Sequence, residues 1–324
     1  MNTQKIKIVS TGIYSPPQVQ TSAELSRLIG RSEDWIISRT GVVNRHIAEE
    51  PMDVMGAKAA RMALQGGAPP DCIINASTTP LQLIPDSSVF IQKELGLNGI
   101  PSWSVQATCL SFVTALNSAA ALVQTGVYKR ILIVSAEAGT PWRDLHEPES
   151  AALFGDGAAA AVVEPTPEGE ESCLCDWVMT TWPEESDSTE FRGAGTRRPP
   201  YISDVTKPED YLFHMKGPKI FRFAVARVKE ALATIFKRNN LEIKDIDRLI
   251  LHQASGRALD AYVNYGFERE KVEKNLDEYG NCISASIPMT LAIADRKGSL
   301  KRGDTVLIGG TGAGLSVAFA LLKW

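Results

Sequence analysis

The chain has 324 residues, of which 44% are hydrophobic and 22% charged, enough apolar material for a large core without metal or disulfide staples. A formal charge of −4 argues against a dedicated nucleic-acid binder, whose surface is normally basic. No apolar run is long enough to span a bilayer, and the opening MNTQKIKIVS lacks the apolar stretch of a signal peptide, so a cytoplasmic protein is expected.

Residues 5–10 read as a strand. A helix is expected over 21–29, where Thr21 and Glu24 fit a capping box, and another over 33–39, stopped by Gly41. A third covers 52–65. The compact apolar runs 72–77 and 131–135 have strand length, 110–125 is helical, and 158–163 closes this part of the chain as a strand. After the polar stretch 164–172 the order begins again, with a strand at 174–179, a long helix over 218–238, strands at 249–252 and 305–309, and an apolar run over 315–322. The alternation indicates an α/β protein. Matching elements recur at an offset of roughly 170 residues, which points to a duplicated domain with halves over 1–170 and 171–324. Residues 181–211 are rich in Pro, Gly, Asp, Ser and Arg without apolar period, and form a surface excursion able to cover a site.

Five cysteines are scattered along the chain, an odd number that does not suggest a disulfide framework. Cys109 stands between a strand end at 103–106 and the helix from 110. A thiol at a helix N-terminus is expected to lean toward thiolate, although a buried cysteine can also serve packing alone. His252, in LILHQAS, lies at the carboxyl end of a buried strand, where α/β folds place active-site groups. His46, His146 and His214 sit in polar surroundings and read as structural or surface residues. Asn281, in EYGNCISASIP, is either a turn asparagine or a carbonyl-binding amide. The segment IGGTGAG ending at Gly314 lacks the GxGxxG spacing of a dinucleotide loop and suits a tight turn that offers N–H groups to an oxyanion. Asp156 in FGDGAAA is expected to organise a turn.

Taken together, SEDWIISRTGV, ATCLSF around Cys109, FGDGAAA, LHQAS around His252, YGNCISASIP around Asn281 and the closing GGTGAG resemble, in order and spacing over nearly the whole chain, the β-ketoacyl-acyl carrier protein synthase III family of the thiolase superfamily. The resemblance implies a duplicated thiolase-like fold with five layers, α-β-α-β-α, and a homodimer. It implies that Cys109 takes an acyl group from an acyl-CoA thioester. His252 and Asn281 would then hold the thioester carbonyl of malonyl-acyl carrier protein as carbon dioxide leaves, and the N–H groups of Cys109 and Gly314 would form the oxyanion hole. Coenzyme A enters as a substrate, and neither metal nor bound cofactor is expected.

By the same resemblance, Trp35 and Arg39 contact the nucleotide part of coenzyme A, and their i, i+4 spacing puts them on one helical face. Family members carry an arginine before FGDG that sandwiches adenine; here HEPESAALFGDG has none. Gly217, Phe221 and Phe154 fall on the expected substrate path. Ile84 occupies the position that closes the acyl pocket from the partner subunit, where a smaller aliphatic residue leaves room for a longer chain. On helix 218–238, Lys219, Arg222 and Lys229 share a sector of about 80°. Lys216, Lys219, Arg222 and Arg257 form the expected docking face for an acidic acyl carrier protein. Two other functions compete. A non-decarboxylating acyltransferase acting on a hydroxyl or amine would want an acid in place of Asn281, and a non-catalytic synthase subunit would want no Cys109. A second catalytic thiol at Cys282 lacks a helix start to stabilise it.

Overall fold

A computed structural model describes residues 3–202 and 206–324. The first half runs β1 (Ile6–Tyr14), β2 (Gln18–Thr21), α1 (Ser22–Ile29), α2 (Glu33–Thr40), β3 (Asn44–Ile47), α3 (Met52–Leu64), β4 (Cys72–Asn75), α4 (Ser87–Leu95), β5 (Ser102–Ser104), α5 (Ser111–Gln124), β6 (Ile131–Glu137), α6 (Pro148–Ala151) and β7 (Gly157–Pro165). The second runs β8 (Cys173–Thr181), β9 (Thr189–Phe191), β10 (Phe213–Met215), α7 (Gly217–Asn239), β11 (Arg248–Leu251), α8 (Gly256–Asn264), α9 (Leu276–Tyr279), α10 (Ser286–Arg296), β12 (Thr305–Gly312) and β13 (Ser316–Lys323).

Local chemistry sets the ends of the early helices as expected. The Thr21 side chain accepts from the Glu24 N–H at 3.1 Å while the Glu24 carboxylate accepts from the Thr21 N–H at 2.8 Å. Gly41, at φ +81°, ends α2. The first strand is longer than expected because β1 pairs antiparallel with β7 as far as Tyr14 and Ala158. Helices α4 and α8 are not among the expected elements; each is nine residues long and opens on a side-chain cap, Asp86 accepting from the Ser88 N–H and Ser255 from the Ala258 N–H.

Two sheets carry the duplication. Strand order is β1-β7-β6-β4-β5 in one and β8-β13-β12-β11 in the other. The pairings match in sense: β1 with β7 and β8 with β13 are antiparallel, as are β6 with β7 and β12 with β13, whereas β4 with β6 and β11 with β12 are parallel. The counterpart of β5 in the second sheet is a parallel bridge between Leu249 and Val272. Side-chain alternation then builds the layers. Ile131 and Ile133 face a central core shared with α5, α10 and, from the other sheet, Val306, Ile308, Ala318 and Ala320. Leu132 and Val134 face α3 on the outside, and Leu249, Leu307 and Phe319 face α7 and α8. The result is the five-layered α-β-α-β-α sandwich.

The excursion after β8 is less irregular than expected. β9 pairs antiparallel with β10, and aromatic contacts fix it to the first half: Trp142 lies 4.5 Å from Phe191 and Phe154 meets Phe213 edge-on at 4.8 Å between ring centroids. Residues 203–205 of the excursion lie outside the described residues.

Candidate active site

Cys109 lies in the turn between β5 and α5, where Thr108 adopts φ +52°, a costly conformation for a β-branched residue. The turn is held by Ser111, whose hydroxyl donates to the Thr108 carbonyl at 2.6 Å and accepts from the Ala107 N–H at 2.9 Å. The expectation of a ready thiolate fails. Helix α5 starts at Ser111 with Leu110 as its cap, so Cys109 stands ahead of the first turn, and burial, followed by the negative charge of Glu137, pushes its thiol up to about 12. The N–H groups of Ala313 and Cys109 itself reach the sulfur and oppose that shift. Gly314, whose N–H the resemblance assigns to the oxyanion hole, follows Ala313 directly and makes the turn there at φ +80°.

His252 follows β11, and its N–H bonds the Gly309 carbonyl at 2.9 Å. The ring is buried, which lowers its pKa to about 4, and Nδ1 has no hydrogen-bond partner among the described residues. The glycine-rich end of β12 makes the approach possible. A Cβ on Gly310 would stand 3.0 Å from the His252 Cβ, and one on Gly312 would stand 2.7 Å from Thr108 Oγ1, beside Cys109. Asn281 is oriented by its own turn: Oδ1 accepts from the Ile283 N–H at 2.9 Å, and Nδ2 points toward the Ala254 carbonyl at 3.5 Å, two residues beyond His252. Residues from both halves therefore meet around the 309–313 segment.

Sequence reading missed Glu137. This carboxylate ends β6 fully buried, and accepts from the N–H groups of Thr78 (2.6 Å) and Thr79 (3.0 Å) and from the Ser284 hydroxyl. Its charge acts on Cys109. The neighbouring Cys282 is buried in the core, its Sγ donating to the Tyr279 carbonyl at 3.5 Å, and burial followed by the charges of Asp156 and Glu137 raises its thiol well above the usual range. Asp156 does organise a turn, accepting from the N–H of Ala48 and of Thr140, each at 2.9 Å.

A cavity of about 420 Å³ opens beside His252 between α7 and α8. Gly217 and Phe221 line it as expected, with Ala254, Ala258, Tyr262 and Thr311 deeper in. Arg39, Arg222 and Arg257 stand at its edge.

The profile for 3-oxoacyl-[acyl-carrier-protein] synthase III matches residues 104–181, and that for the C-terminal part of the same enzyme matches 236–324. The chain is 35% identical to the beta-ketoacyl-[acyl-carrier-protein] synthase III of Desulfitobacterium hafniense over 326 residues, covering 98% of each. The chain belongs to the 3-oxoacyl-[acyl-carrier-protein] synthase III family. Its structure superposes with a TM-score of 0.89 on the synthase III of Aquifex aeolicus VF5, at 30% identity over 98% of this chain and all of that one. A priming β-ketosynthase from the R1128 polyketide biosynthetic pathway gives the same TM-score at 32% identity, with 99% and 96% covered.

Within that family fold, several expected binding residues are placed differently from one another. Arg39 reaches the cavity edge, whereas Trp35 packs on a small cluster with Leu25 and Ile36 and is capped by the Arg31 guanidinium at 5.5 Å. Phe154 is buried behind Asn281, bridged to it through the backbone, and does not line the cavity. Ile84 lies apart from the cavity, 84% exposed. The expected basic face is partly neutralised: Lys216 pairs with Asp187 at 3.1 Å and Lys219 with Glu185 at 2.8 Å. Lys229 turns onto the Tyr265 ring at 5.2 Å. Both acids belong to the excursion, whose contacts carried no periodic signal. Arg222 and Arg257 remain beside the opening without an ion pair among the described residues.

Proposed function

We propose that Cys109 takes an acyl group from an acyl-CoA thioester and that the enzyme condenses it with malonyl-acyl carrier protein, releasing carbon dioxide, in fatty acid or related biosynthesis. The observation that carries this reading is that the 309–313 segment abuts His252 on one side and the Cys109 turn on the other, with Asn281 against Ala254, two residues past His252. A thiol held at about 12 is neutral at physiological pH, and so is an imidazole held at about 4. Acylation then moves the thiol proton to His252 as sulfur attacks the thioester carbon. The tetrahedral oxyanion receives the N–H groups of Cys109 and Gly314, each worth about 3 kcal/mol in such a site, and coenzyme A leaves as its thiol with the proton from His252.

In the second stage the malonyl thioester carbonyl receives Asn281 Nδ2 and His252. Its C–C bond to the carboxylate breaks, the electron pair passes into the enolate, and the enolate carbon attacks the acyl-enzyme and expels the Cys109 thiolate. Asn281 suits this role because its Oδ1 is already engaged, which leaves the amide N–H groups to face the incoming oxygen. Direct acyl transfer to a hydroxyl or amine would want an acid beside His252, and the amide of Asn281 stands there instead, against Ala254. Intact-protein mass spectrometry with a panel of acyl-CoA and acyl-carrier donors tests the first stage: wild type should gain one acyl group and Cys109→Ala none. Acyl mass on Cys109→Ala would refute the reading.

We further propose that the enzyme works as a cytoplasmic homodimer, with Ile84 crossing to the partner's acyl pocket and Arg222 and Arg257 receiving the carrier. Exposure of Leu83 (68%) and Ile84 (84%) supports this, as does the position of β5 at the edge of its sheet. Sedimentation of wild type beside Ile84→Asp is the test; a monomeric wild type at micromolar concentration would reject it.

A further inference from the structure

The condensation leaves Cys173 and Cys175 without a role. Both stand at the start of β8, where Cys173 pairs with Lys323, whereas the active-site end of the same ladder pairs Gly312 with Ser316 and Ser316 with Thr181. The seven steps from Ser316 to Lys323 separate the two ends by about 23 Å at ~3.3 Å per residue. On a regular strand, residues i and i+2 face one side about 6.6 Å apart, near the upper end of the roughly 4.4–6.8 Å spanned by the Cα atoms of disulfides.

β8 is not regular here. Asp176 pairs with Leu321 and Leu174 with Leu322, which leaves Cys175 as the extra residue of a β-bulge. Bulges bend and twist a strand, and the two sulfurs stand 2.9 Å apart as free thiols. Cys173 is buried and Cys175 half-buried.

We propose that Cys173 and Cys175 form a redox-active dithiol that a small hydroperoxide converts to an intrachain disulfide. The Cys173 thiolate attacks the peroxide O–O bond and becomes a sulfenic acid, and with one proton taken up the first water leaves. Cys175 then attacks the Cys173 sulfur, forming the S–S bond, and its proton departs with the hydroxyl as a second water. The two cysteines lose two electrons and the peroxide gains them. The surroundings divide the roles. Hydrogen bonding from the Cys175 thiol, then the Lys323 N–H and the charges of Lys5 and Lys323, hold the Cys173 thiol below its usual range; the bond it donates to Cys173, followed by burial, holds the Cys175 thiol above its range, against the same Lys323 N–H and charge. Burial of Cys173 favours an oxidant as small as hydrogen peroxide over a protein disulfide.

The test uses the full chain, as wild type and as Cys109→Ala, treated with hydrogen peroxide without added thiol. Peptide mass spectrometry should show loss of two hydrogens from the segment holding both cysteines, reversed by dithiothreitol. Cys175→Ser should stop at a Cys173 sulfenic acid that dimedone captures, and Lys323→Gln should slow oxidation several-fold. A segment that stays reduced while Cys109 oxidises would overturn the proposal, as would dimedone capture at Cys175 in Cys173→Ser as fast as at Cys173 in Cys175→Ser. If a serine variant fails to fold, the wild-type mass change decides alone. The outcome is independent of the condensation reaction, since Cys109→Ala must behave as wild type.

Discussion

Glu137, at the end of β6, accepts a hydrogen bond from the hydroxyl of Ser284, three residues past Asn281. One buried acid thus ties the half that holds the nucleophile to the turn that presents the amide, and its charge also raises the Cys109 thiol.

Glu137→Gln keeps the shape and removes the charge. The pH midpoint for alkylation of Cys109 by iodoacetamide should therefore fall, because the term opposing the thiolate is gone. An unmoved midpoint would show that burial alone sets it. Glu137→Ala, which strands the Thr78 and Thr79 N–H groups, should cost about 2–4 kcal/mol by urea unfolding.

His252 gives the protein a signature in acid. In the unfolded chain the imidazole binds a proton near 6.5, but in the folded one only near 4. The unfolded state therefore binds protons first as pH drops through that window, and stability on the order of 3 kcal/mol is lost between those values. His252→Gln should lack this loss, so its melting temperature should gain on wild type as pH falls from 7 toward 4. A constant gap would contradict the assignment.

Gly312→Ala puts a methyl 2.7 Å from Thr108 Oγ1. Displacing the nucleophile's turn should slow acylation of Cys109 by roughly 10- to 100-fold, read by stopped-flow or quench mass spectrometry. Gly310→Ala pushes instead on His252, and should depress carbon dioxide release from malonyl-acyl carrier protein more than it depresses acylation. Equal losses in both steps would remove the distinction.

Arg222→Ala and Arg257→Ala should raise the Michaelis constant for the carrier several-fold at low salt, with the difference fading as salt rises. The double change Lys219→Gln with Glu185→Gln deletes an ion pair without altering net charge, and should leave that constant where it was. A rise there would place the excursion itself on the docking face.

Much of this was legible from residues alone. The capping box of Thr21 and Glu24 is a local pattern with a local cause, and Cys109, His252 and Asn281 each sit at a junction between elements whose type the sequence declares. Glu137 was hidden because it ends an apolar run, ILIVSAE, and only the packed structure supplies its three donors. The neutral Cys109 was misjudged for a related reason. Position at a helix start is a sequence property, whereas burial is a tertiary one, and burial is the larger effect. Lys216 and Lys219 were read as free because the acids that bind them arrive from an excursion with no period to follow.

The matching strand order of the two sheets puts the turns before α5 and α10 in corresponding places, each leading into a helix of the central layer. Thr108-Cys109-Leu110-Ser111 runs into α5, whose first residue is Ser111, and Asn281-Cys282-Ile283-Ser284 stands just ahead of α10, which begins at Ser286. The pattern x-Cys-aliphatic-Ser is the same, each turn holds one non-glycine residue at positive φ, Thr108 or Ile283, and each serine closes a hydrogen bond. In the proposed mechanism the two turns do different work: the Cys109 thiol takes the acyl group, whereas the Cys282 thiol is buried in the core and the Asn281 amide before it faces the thioester carbonyl.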